Sequence, residues 1–300
     1  MDNELKIALC FSGLPRSIKE CYPSIYKYLI EPNNIKDIFV HTWECEDGED
    51  IGNIMLKQIY KKSDTLFLKE KYKPKEYLKE PHTIIYEQPN YIKEEKLDKY
   101  VIHTKNLIGL QCMFYSIYKS FELITKYQEK HNFIYDYVIR LRFDMIFFDS
   151  IIINDLDSNA LHVFDNNNRD EYPDEFAIGN YENMKKYSET WNNLQIILDS
   201  NAPYQNDTLL SQNIKNYGIP VQNLENIFNP IIRKDRNTPK LTGYCHHPDS
   251  IKYLKDTSLG EHMLKLYEDN SELSMQEVTL KSNFFIANRK NVLAGAGFKL

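Results

Sequence analysis

The sequence has few of the features that mark secreted, membrane-spanning or nucleic-acid-binding proteins. Its five cysteines are scattered, odd in number and without a C-x-x-C pair, which fits reduced thiols better than a disulfide framework. No apolar run approaches the length of a membrane span, and residues 1–6 lack the basic and apolar segments of a signal peptide. A net charge of −6 argues against broad nucleic-acid binding. A cytoplasmic protein is therefore expected.

The chain does have enough length and apolar content for a large core. Hydrophobic residues make up 42% of the sequence and charged residues 27%, which is typical of a globular protein. A length of 300 residues suits one large α/β domain, or one domain with an appendage. The sequence shows no internal repeat and no low-complexity segment.

The most informative stretch is 135–148, which is rich in β-branched and aromatic residues and predicts a strand. Alternation along a strand places apolar residues, among them Tyr135 and Tyr137, on one face. It places Arg140, Arg142 and Asp144 on the other. Three charges on a central strand are costly to bury unless they are paired or ligand-bound. We therefore expect a polar cleft at the carboxyl end of this strand. The alternatives are a structural salt bridge, or a helix with Arg140 and Asp144 one turn apart.

A strand, a tight turn and a helix open the chain, over residues 5–12, 13–17 and 18–29. Such a turn presents backbone N–H groups and a helix N-terminus to anions, and Arg16 would add a positive charge. The alternative is a plain loop with an exposed arginine. A second strand, Asp37–Trp43, carries His41 and Trp43 on one face, either as core residues or as a place where a base or sugar stacks.

The remaining chain alternates strands and helices up to about residue 225. The predicted elements are a charged, partly helical segment (44–80), strands at 83–87, 160–164 and 174–180, helices at 106–130, 181–198 and 204–217, and an edge strand at 219–221. This order predicts an α/β domain over residues 1–228, with a mostly parallel central sheet and helices on both faces. Residues 229–300 are predicted to be an irregular C-terminal extension that packs on this domain. One role open to this extension is to form part of the acceptor site.

Three acidic residues are candidates for substrate chemistry. Asp174 and Glu175 lead from a polar loop into an apolar strand, a common arrangement for acids that face a substrate. Asp207 lies in the first turn of a predicted helix, where interaction with the helix dipole alone would also explain an acid.

Four segments, taken in order, resemble a group of polysaccharide-locus glycosyltransferases with a GT-A-type nucleotide-binding fold. They are Ile7–Arg16, Asp37–Trp43, Tyr135–Asp144 and Asp174–Gly179, and the similarity in order and spacing extends over residues 5–225. The resemblance implies a GT-A-like, Rossmann-like sheet. It also implies transfer of a sugar from a nucleotide-diphosphate donor to a hydroxyl of a glycan or lipid-linked acceptor, as in surface-polysaccharide biosynthesis.

The resemblance further implies a set of site residues. The donor would be bound by residues of the first two strands, the first turn and the central strand: Ser12, Gly13, Pro15, Arg16, His41, Trp43, Arg140, Arg142 and Asp144. Arg142-Phe143-Asp144 stands where such enzymes carry D-x-D, with Arg142 in place of the first acid. In one alternative, Asp144 holds Mn²⁺ or Mg²⁺, and His246, from a loop near the end of the chain, is a further ligand. In the other, Arg140 and Arg142 neutralise the diphosphate directly.

Transfer to a hydroxyl needs a base, and Asp174, Glu175 and Asp207 are the implied candidates, in that order. Expected partners are the nucleotide-sugar donor and the acceptor, without nucleic acid; a peripheral contact with the inner face of the membrane stays open. Two other function classes also stay open. Ser12–Ser17 is similar to the phosphosulfate-binding turn of nucleotide-dependent sulfotransferases, although Ile18–Glu20 is bulkier than the small residues of that family. The other class is a non-catalytic carbohydrate- or nucleotide-binding protein of the same fold.

Overall fold

The structure is a computed structural model that describes residues 5–49, 60–102, 107–147, 150–164 and 171–224, together with the backbone of two short strands at 231–234 and 241–244. Its elements are, in chain order, β1 (Ile7–Ser12), α1 (Ile18–Ile25), a π-helical turn (Tyr26–Ile30), β2 (Asp37–Trp43), α2 (Lys62–Tyr72), β3 (Glu76–Glu80), a 3₁₀ helix (His82–Glu87), α3 (Glu94–Leu97), α4 (Leu107–His131), β4 (Tyr137–Leu141), a 3₁₀ turn (Ile153–Asp155), β5 (Leu161–Phe164), β6 (Phe176–Gly179), α5 (Tyr181–Ser188), α6 (Thr190–Asp199), α7 (Asn206–Asn216), β7 (Val221–Leu224), β8 (Ile231–Lys234) and β9 (Leu241–Tyr244).

A mixed, mostly parallel sheet forms the centre of the molecule, with strand order β3-β2-β1-β4-β6-β5-β7. Neighbouring strands pair in parallel except for β6, which is antiparallel to both β4 and β5. Helices α4 and α5 pack on one face and α1 on the other. The predicted fold class, an α/β protein with a mostly parallel central sheet and helices on both faces, is confirmed.

The central strands are apolar because both faces of the sheet are covered. Every residue of β1 and β4 is buried. In β4, Val138 contributes to the core beneath α4, whereas Ile139 contributes to the core beneath α1. Strands buried on both faces read as nearly continuous apolar runs, which is why β1 and β4 lack a clean polar alternation.

The path of the chain places a crevice at the carboxyl ends of β1 and β4. From β1 the chain runs through α1 to β2 and then to β3, moving to one side; it returns through α4 to β4 on the other side of β1. Such a reversal of strand order is where open α/β sheets bind ligands. Because β6 is antiparallel, its amino end meets the carboxyl end of β4, with Leu141 opposite Phe176. Residues that follow β4 therefore lie beside residues that precede β6.

Two strand predictions are wrong in detail. The segment 83–87 is a 3₁₀ helix rather than a strand; Ile85 is fully buried there, so its apolar residues cover the core beneath α4. The third strand is β3, in the segment predicted to be solvated. It lies at the edge of the sheet and is only half-buried, so its sequence, Glu-Tyr-Leu-Lys-Glu, carries charges that hide it from an apolar pattern.

The central strand is also shorter than predicted. It ends at Leu141, so Arg142 and Asp144 lie in the turn that follows rather than on a strand face. At its other end, Tyr135 precedes the strand and packs in the core beneath α4, whereas Tyr137 packs beneath α1; the prediction that they share a face is wrong. The polar turn frees Arg142 and Asp144 from strand geometry and lets their side chains face each other.

The C-terminal region is described only in part. Strands β8 and β9 pair with each other as an antiparallel ladder apart from the main sheet. The domain boundary at residue 228 stays a prediction, and His246 lies outside the described residues. Within the described part of the chain, no helix is both long and apolar enough to cross a membrane.

Candidate functional site

Five of the predicted site residues come together at the crevice between β1 and β4. They form what we call the arginine–acid cluster, which consists of Ser12, Arg140, Arg142, Asp144 and Asp174. Ser12 ends β1, Arg140 belongs to β4, and the other three flank the neighbouring ends of β4 and β6. Five residues that the sequence gives as site candidates thus lie together, although the sequence does not predict their contacts.

Arg140 is the buried member, with only 2% of its side chain exposed. Its Nε donates a hydrogen bond to the Ser12 hydroxyl at 3.3 Å, and its Nη2 lies 3.9 Å from Oδ2 of Asp174. Asp174 is equally buried. A guanidinium removed from water needs a countercharge, so Arg140 and Asp174 depend on each other.

Arg142 forms a two-pronged ion pair with Asp144. Its Nε donates to one carboxylate oxygen at 2.8 Å and its Nη2 to the other at 2.9 Å. The side chain of Asp144 is 3% exposed, whereas that of Arg142 is 18% exposed and reaches solvent. Nη1 of Arg142 lies 3.9 Å from the same Oδ2 of Asp174 that faces Arg140. Asp174 thus lies between two guanidinium groups.

Helix α7 brings a second group of acids to the cluster. In its first turn, the Asn206 side chain donates to Oδ1 of Asp174 at 2.5 Å and to Oδ1 of Asp207 at 3.0 Å. Glu175 is buried beside them, and its backbone carbonyl accepts from the Arg142 N–H at 3.3 Å. All three predicted catalytic acids, Asp174, Glu175 and Asp207, are therefore close together.

Burial raises the pKa values of two of these acids. The pKa of Asp174 is raised by burial and by the charge of Glu175, whereas Arg140, Arg142 and Asn206 act in the opposite direction. The pKa of Asp207 is raised to about 8, first by burial and then by the charges of Asp174, Glu175 and Glu171. With its pKa raised to about 8, Asp207 consequently retains a proton in most molecules at neutral pH.

Three buried polar atoms near this cluster have no hydrogen-bond partner among the described residues: Nη1 of Arg140, Oδ2 of Asp174 and the hydroxyl of Tyr187 on α5. The charges of Arg140 and Asp174 both act on the pKa of Tyr187, which burial raises. Buried donors and acceptors are normally satisfied, and exceptions concentrate at functional sites. A spare donor beside a spare acceptor matches a small polar group, such as a hydroxyl, that both accepts and donates.

The unpartnered hydroxyl leads to a stability prediction. Tyr187→Phe should change the free energy of unfolding by less than about 0.5 kcal/mol or raise it, because no hydrogen bond is lost. The matched control is Tyr135→Phe, which removes a 2.8 Å hydrogen bond to the Asp37 carboxylate and should cost about 1.5 kcal/mol. Urea unfolding of both variants is the measurement. An equal loss in the free energy of unfolding for Tyr187→Phe and Tyr135→Phe would contradict the conclusion that the Tyr187 hydroxyl has no hydrogen-bond partner among the described residues.

The turn after β1 borders the cluster through Ser12. Gly13 has φ +106°, a conformation that side-chain-bearing residues rarely adopt, and its N–H donates to the His41 carbonyl at 3.2 Å. Among the described residues, no atom other than those of its chain neighbours lies within 4 Å of where a Cβ would stand on Gly13, so the backbone is open on that side. Pro15 is buried and Arg16 is half-buried in the same turn. The turn thus offers an open backbone surface and a cation beside the crevice.

His41 and Trp43 are core residues at the end of β2. The two ring nitrogens of His41 lie 2.7 Å from the Ser116 hydroxyl and 2.9 Å from the Glu80 carboxylate. Burial lowers the pKa of His41, although Glu80 opposes that effect. The Trp43 ring is 3% exposed and stacks on the rings of His82 and Tyr115. Stacking of a base on Trp43 stays a prediction, and it would require one of these rings to move.

The described residues do not fit a divalent-cation site at Asp144. Both carboxylate oxygens accept hydrogen bonds from Arg142, and Mg²⁺ or Mn²⁺ would need those oxygens as ligands. Across the described ranges, no group of three or more His, Cys, Asp or Glu residues is placed to hold a metal ion. A metal bound by Asp144 and His246 stays a prediction, since His246 lies beyond the described part of the chain.

Sequence reasoning missed two residues of the site, Tyr187 and Asn206. Asn206 has a weak signal, because it directly precedes the candidate Asp207 at the start of a predicted helix. Tyr187 has none: it is one of 22 tyrosines and lies on an ordinary apolar helix face. Only the packing of α5 against β4 and β6 brings it near Arg140.

Comparison with known proteins adds a family but little about chemistry. A family model described as "Domain of unknown function (DUF7796)" matches residues 2–197. No curated protein matches the sequence. Among solved structures, the apo form of mouse xyloside xylosyltransferase 1 is similar, with a TM-score of 0.39 and 9% identity, over 73% of this chain and 84% of that one. A similarity of this extent carries no argument about function.

Proposed function

Since the chain belongs to the DUF7796 family, whose description assigns no activity, we propose a function from the site itself. The protein is a glycosyltransferase that moves a sugar from a nucleotide-diphosphate donor to a hydroxyl of a glycan or surface-polysaccharide acceptor. The observation that supports this proposal is the arginine–acid cluster: two guanidinium groups and acids with raised pKa values meet where the strand order reverses.

The donor half of the proposed site consists of cations and exposed backbone. A planar guanidinium matches phosphate oxygens with two parallel hydrogen bonds, and Arg142 extends toward solvent from its pair with Asp144. The turn at Gly13 follows Ser12, which accepts a hydrogen bond from Arg140, and Arg16 lies in the same loop. A donor diphosphate bound across β1 and β4 would meet both.

The acceptor half consists of the acids beside β6 and α7. In the transfer, a bond forms between the acceptor oxygen and the sugar, the bond from the sugar to the diphosphate breaks, and the acceptor proton passes to a carboxylate. A raised pKa makes a carboxylate a stronger base, and it suits Asp174 and Asp207 for this role. Burial keeps the pKa values of both acids high, and the charge of Glu175, buried next to them, adds to this effect.

Calorimetric titration with UDP, GDP, CMP and adenosine 3′,5′-bisphosphate tests the proposed function. We expect UDP or GDP, which carry the diphosphate of the proposed donor, to bind, and Arg142→Ala to weaken that binding by about tenfold or more through loss of charge-assisted hydrogen bonds. The matched control is Lys61→Ala, which removes an exposed cation outside the cluster. Preference for the bisphosphate would support a sulfotransferase instead. Binding of none of the four would contradict the proposal.

A further inference from the structure

We propose that Arg142 recognises the donor diphosphate directly and without a divalent cation, and that Asp144 positions Arg142 instead of binding a metal. This inference rests on the proposed function and names how the same site handles the charge of its donor. It departs from what the resemblance to GT-A-type glycosyltransferases implies for Asp144, which is to coordinate a metal that bridges the diphosphate.

The geometry of the ion pair between Arg142 and Asp144 supports this inference. Arg142 contacts both oxygens of Asp144, at 2.8 and 2.9 Å, in the parallel arrangement that fixes a guanidinium plane. Asp144 is almost fully buried, whereas Arg142 is partly exposed. In this pair, the buried Asp144 fixes the position of the guanidinium, and the more exposed Arg142 is the residue that a ligand arriving from solvent would contact.

Binding of a divalent cation at Asp144 would be costly. A divalent cation at Asp144 would have to displace two charge-assisted hydrogen bonds. It would also come to rest close to the guanidinium of Arg142, which cannot lose its charge. Like charges at such short range repel, and the buried setting strengthens the repulsion. Arg142 therefore occupies the position that a cation would need.

The two arginines and the acids around them also balance much of each other's charge. Arg142 and Arg140 both face Oδ2 of Asp174, each at 3.9 Å, so one carboxylate is shared by two cations. Asp144 and Asp174 face this pair, Glu175 and Asp207 lie beside Asp174, and Glu171 acts on Asp207. Since the pKa of Asp207 is raised to about 8, a proton on Asp207 offsets part of this negative charge at neutral pH, beside the two guanidinium groups.

The test compares the binding of UDP and of GDP in excess EDTA and in excess Mn²⁺, by calorimetry on the full chain. The expected result is an affinity in EDTA within about threefold of that in Mn²⁺, since a fixed guanidinium supplies the charge. An affinity that falls about tenfold or more in EDTA would overturn the inference while leaving the proposed function intact. Binding of neither nucleotide in either buffer would overturn both.

A charge-reversing variant sharpens the test. Arg142→Asp converts the segment to Asp-Phe-Asp, so nucleotide binding should disappear in EDTA and return in Mn²⁺, which two carboxylates can hold. Lys61→Asp makes the same change of charge on the exposed start of α2 and should behave as the wild type. Unchanged affinity of Arg142→Asp in EDTA would overturn the inference. The wild-type comparison stands by itself if Arg142→Asp does not fold.

Discussion

Arg140→Ala should lower the free energy of unfolding by about 3 kcal/mol at neutral pH, because it leaves Asp174 buried with a weaker countercharge. The substitution also removes the hydrogen bond to Ser12 and opens a cavity where a large, 2%-exposed side chain had packed. Arg142 remains 3.9 Å from Asp174 and limits the loss. Urea unfolding measures the change.

The matched control is Lys75→Ala, which also removes the cation of an ion pair, here with Asp37 at 3.4 Å on the surface. A partly exposed pair of this kind contributes about 1 kcal/mol at most. The cost of Arg140→Ala should shrink in acid, where Asp174 takes up a proton and no longer needs a cation. A loss no larger than that of Lys75→Ala would show that the buried pair does not stabilise the fold.

Asp207→Asn should raise the free energy of unfolding by about 2 kcal/mol or more at pH 8, since one pKa unit corresponds to 1.36 kcal/mol. The pKa of Asp207 is about 8 in the folded protein, above the value of about 3.9 of an unfolded aspartate. Between these two values the folded state binds the extra proton. The contribution of Asp207 to stability is thus most favourable in acid and is lost as the pH rises from about 4 to about 8.

Thermal unfolding across this pH range tests the second prediction. The wild type should lose stability with rising pH more steeply than Asp207→Asn, which carries no proton to release. Asp199→Asn is the control: Asp199 is an exposed carboxylate whose pKa is lowered by Tyr100, Gln195 and Lys99, so its variant should show no gain. Parallel pH profiles for wild type and Asp207→Asn would contradict the raised pKa. A gain in stability together with a loss of transfer activity is the behaviour of a functional acid.

The sequence predicts the sheet and much of the site because both depend on local patterns. Strand β2 has the predicted bounds, and β1 and α4 differ by one or two residues at an end, since apolar runs and helical spacing specify them. Three charged residues in an apolar stretch point to the arginine–acid cluster, because charged side chains are costly to bury without partners and the sequence alone shows that they need them. The ends of β1 and β4 then follow from the α/β order.

Other features depend on contacts that no local pattern records. The pairing of Arg142 with Asp144 exists because β4 ends at Leu141, and an apolar stretch that continues to Phe148 conceals that end. The edge strand β3 is only half-buried and so resembles a surface segment. Tyr187 joins the site through packing across more than 40 residues of sequence from Arg140. Long-range packing, rather than propensity, decides each of these cases.

The reversed direction of β6 divides the site between two parts of the chain. The residues proposed to hold the donor, Ser12 to Asp144, come from the part that ends just after β4, whereas the acids proposed to meet the acceptor lie between residue 171 and the first turn of α7. The two parts are joined edge to edge by one antiparallel ladder. Under the proposed function, variation in the second part would alter which hydroxyl receives the sugar while the nucleotide half is inherited unchanged, so relatives with one donor and many acceptors are the expected evolutionary outcome.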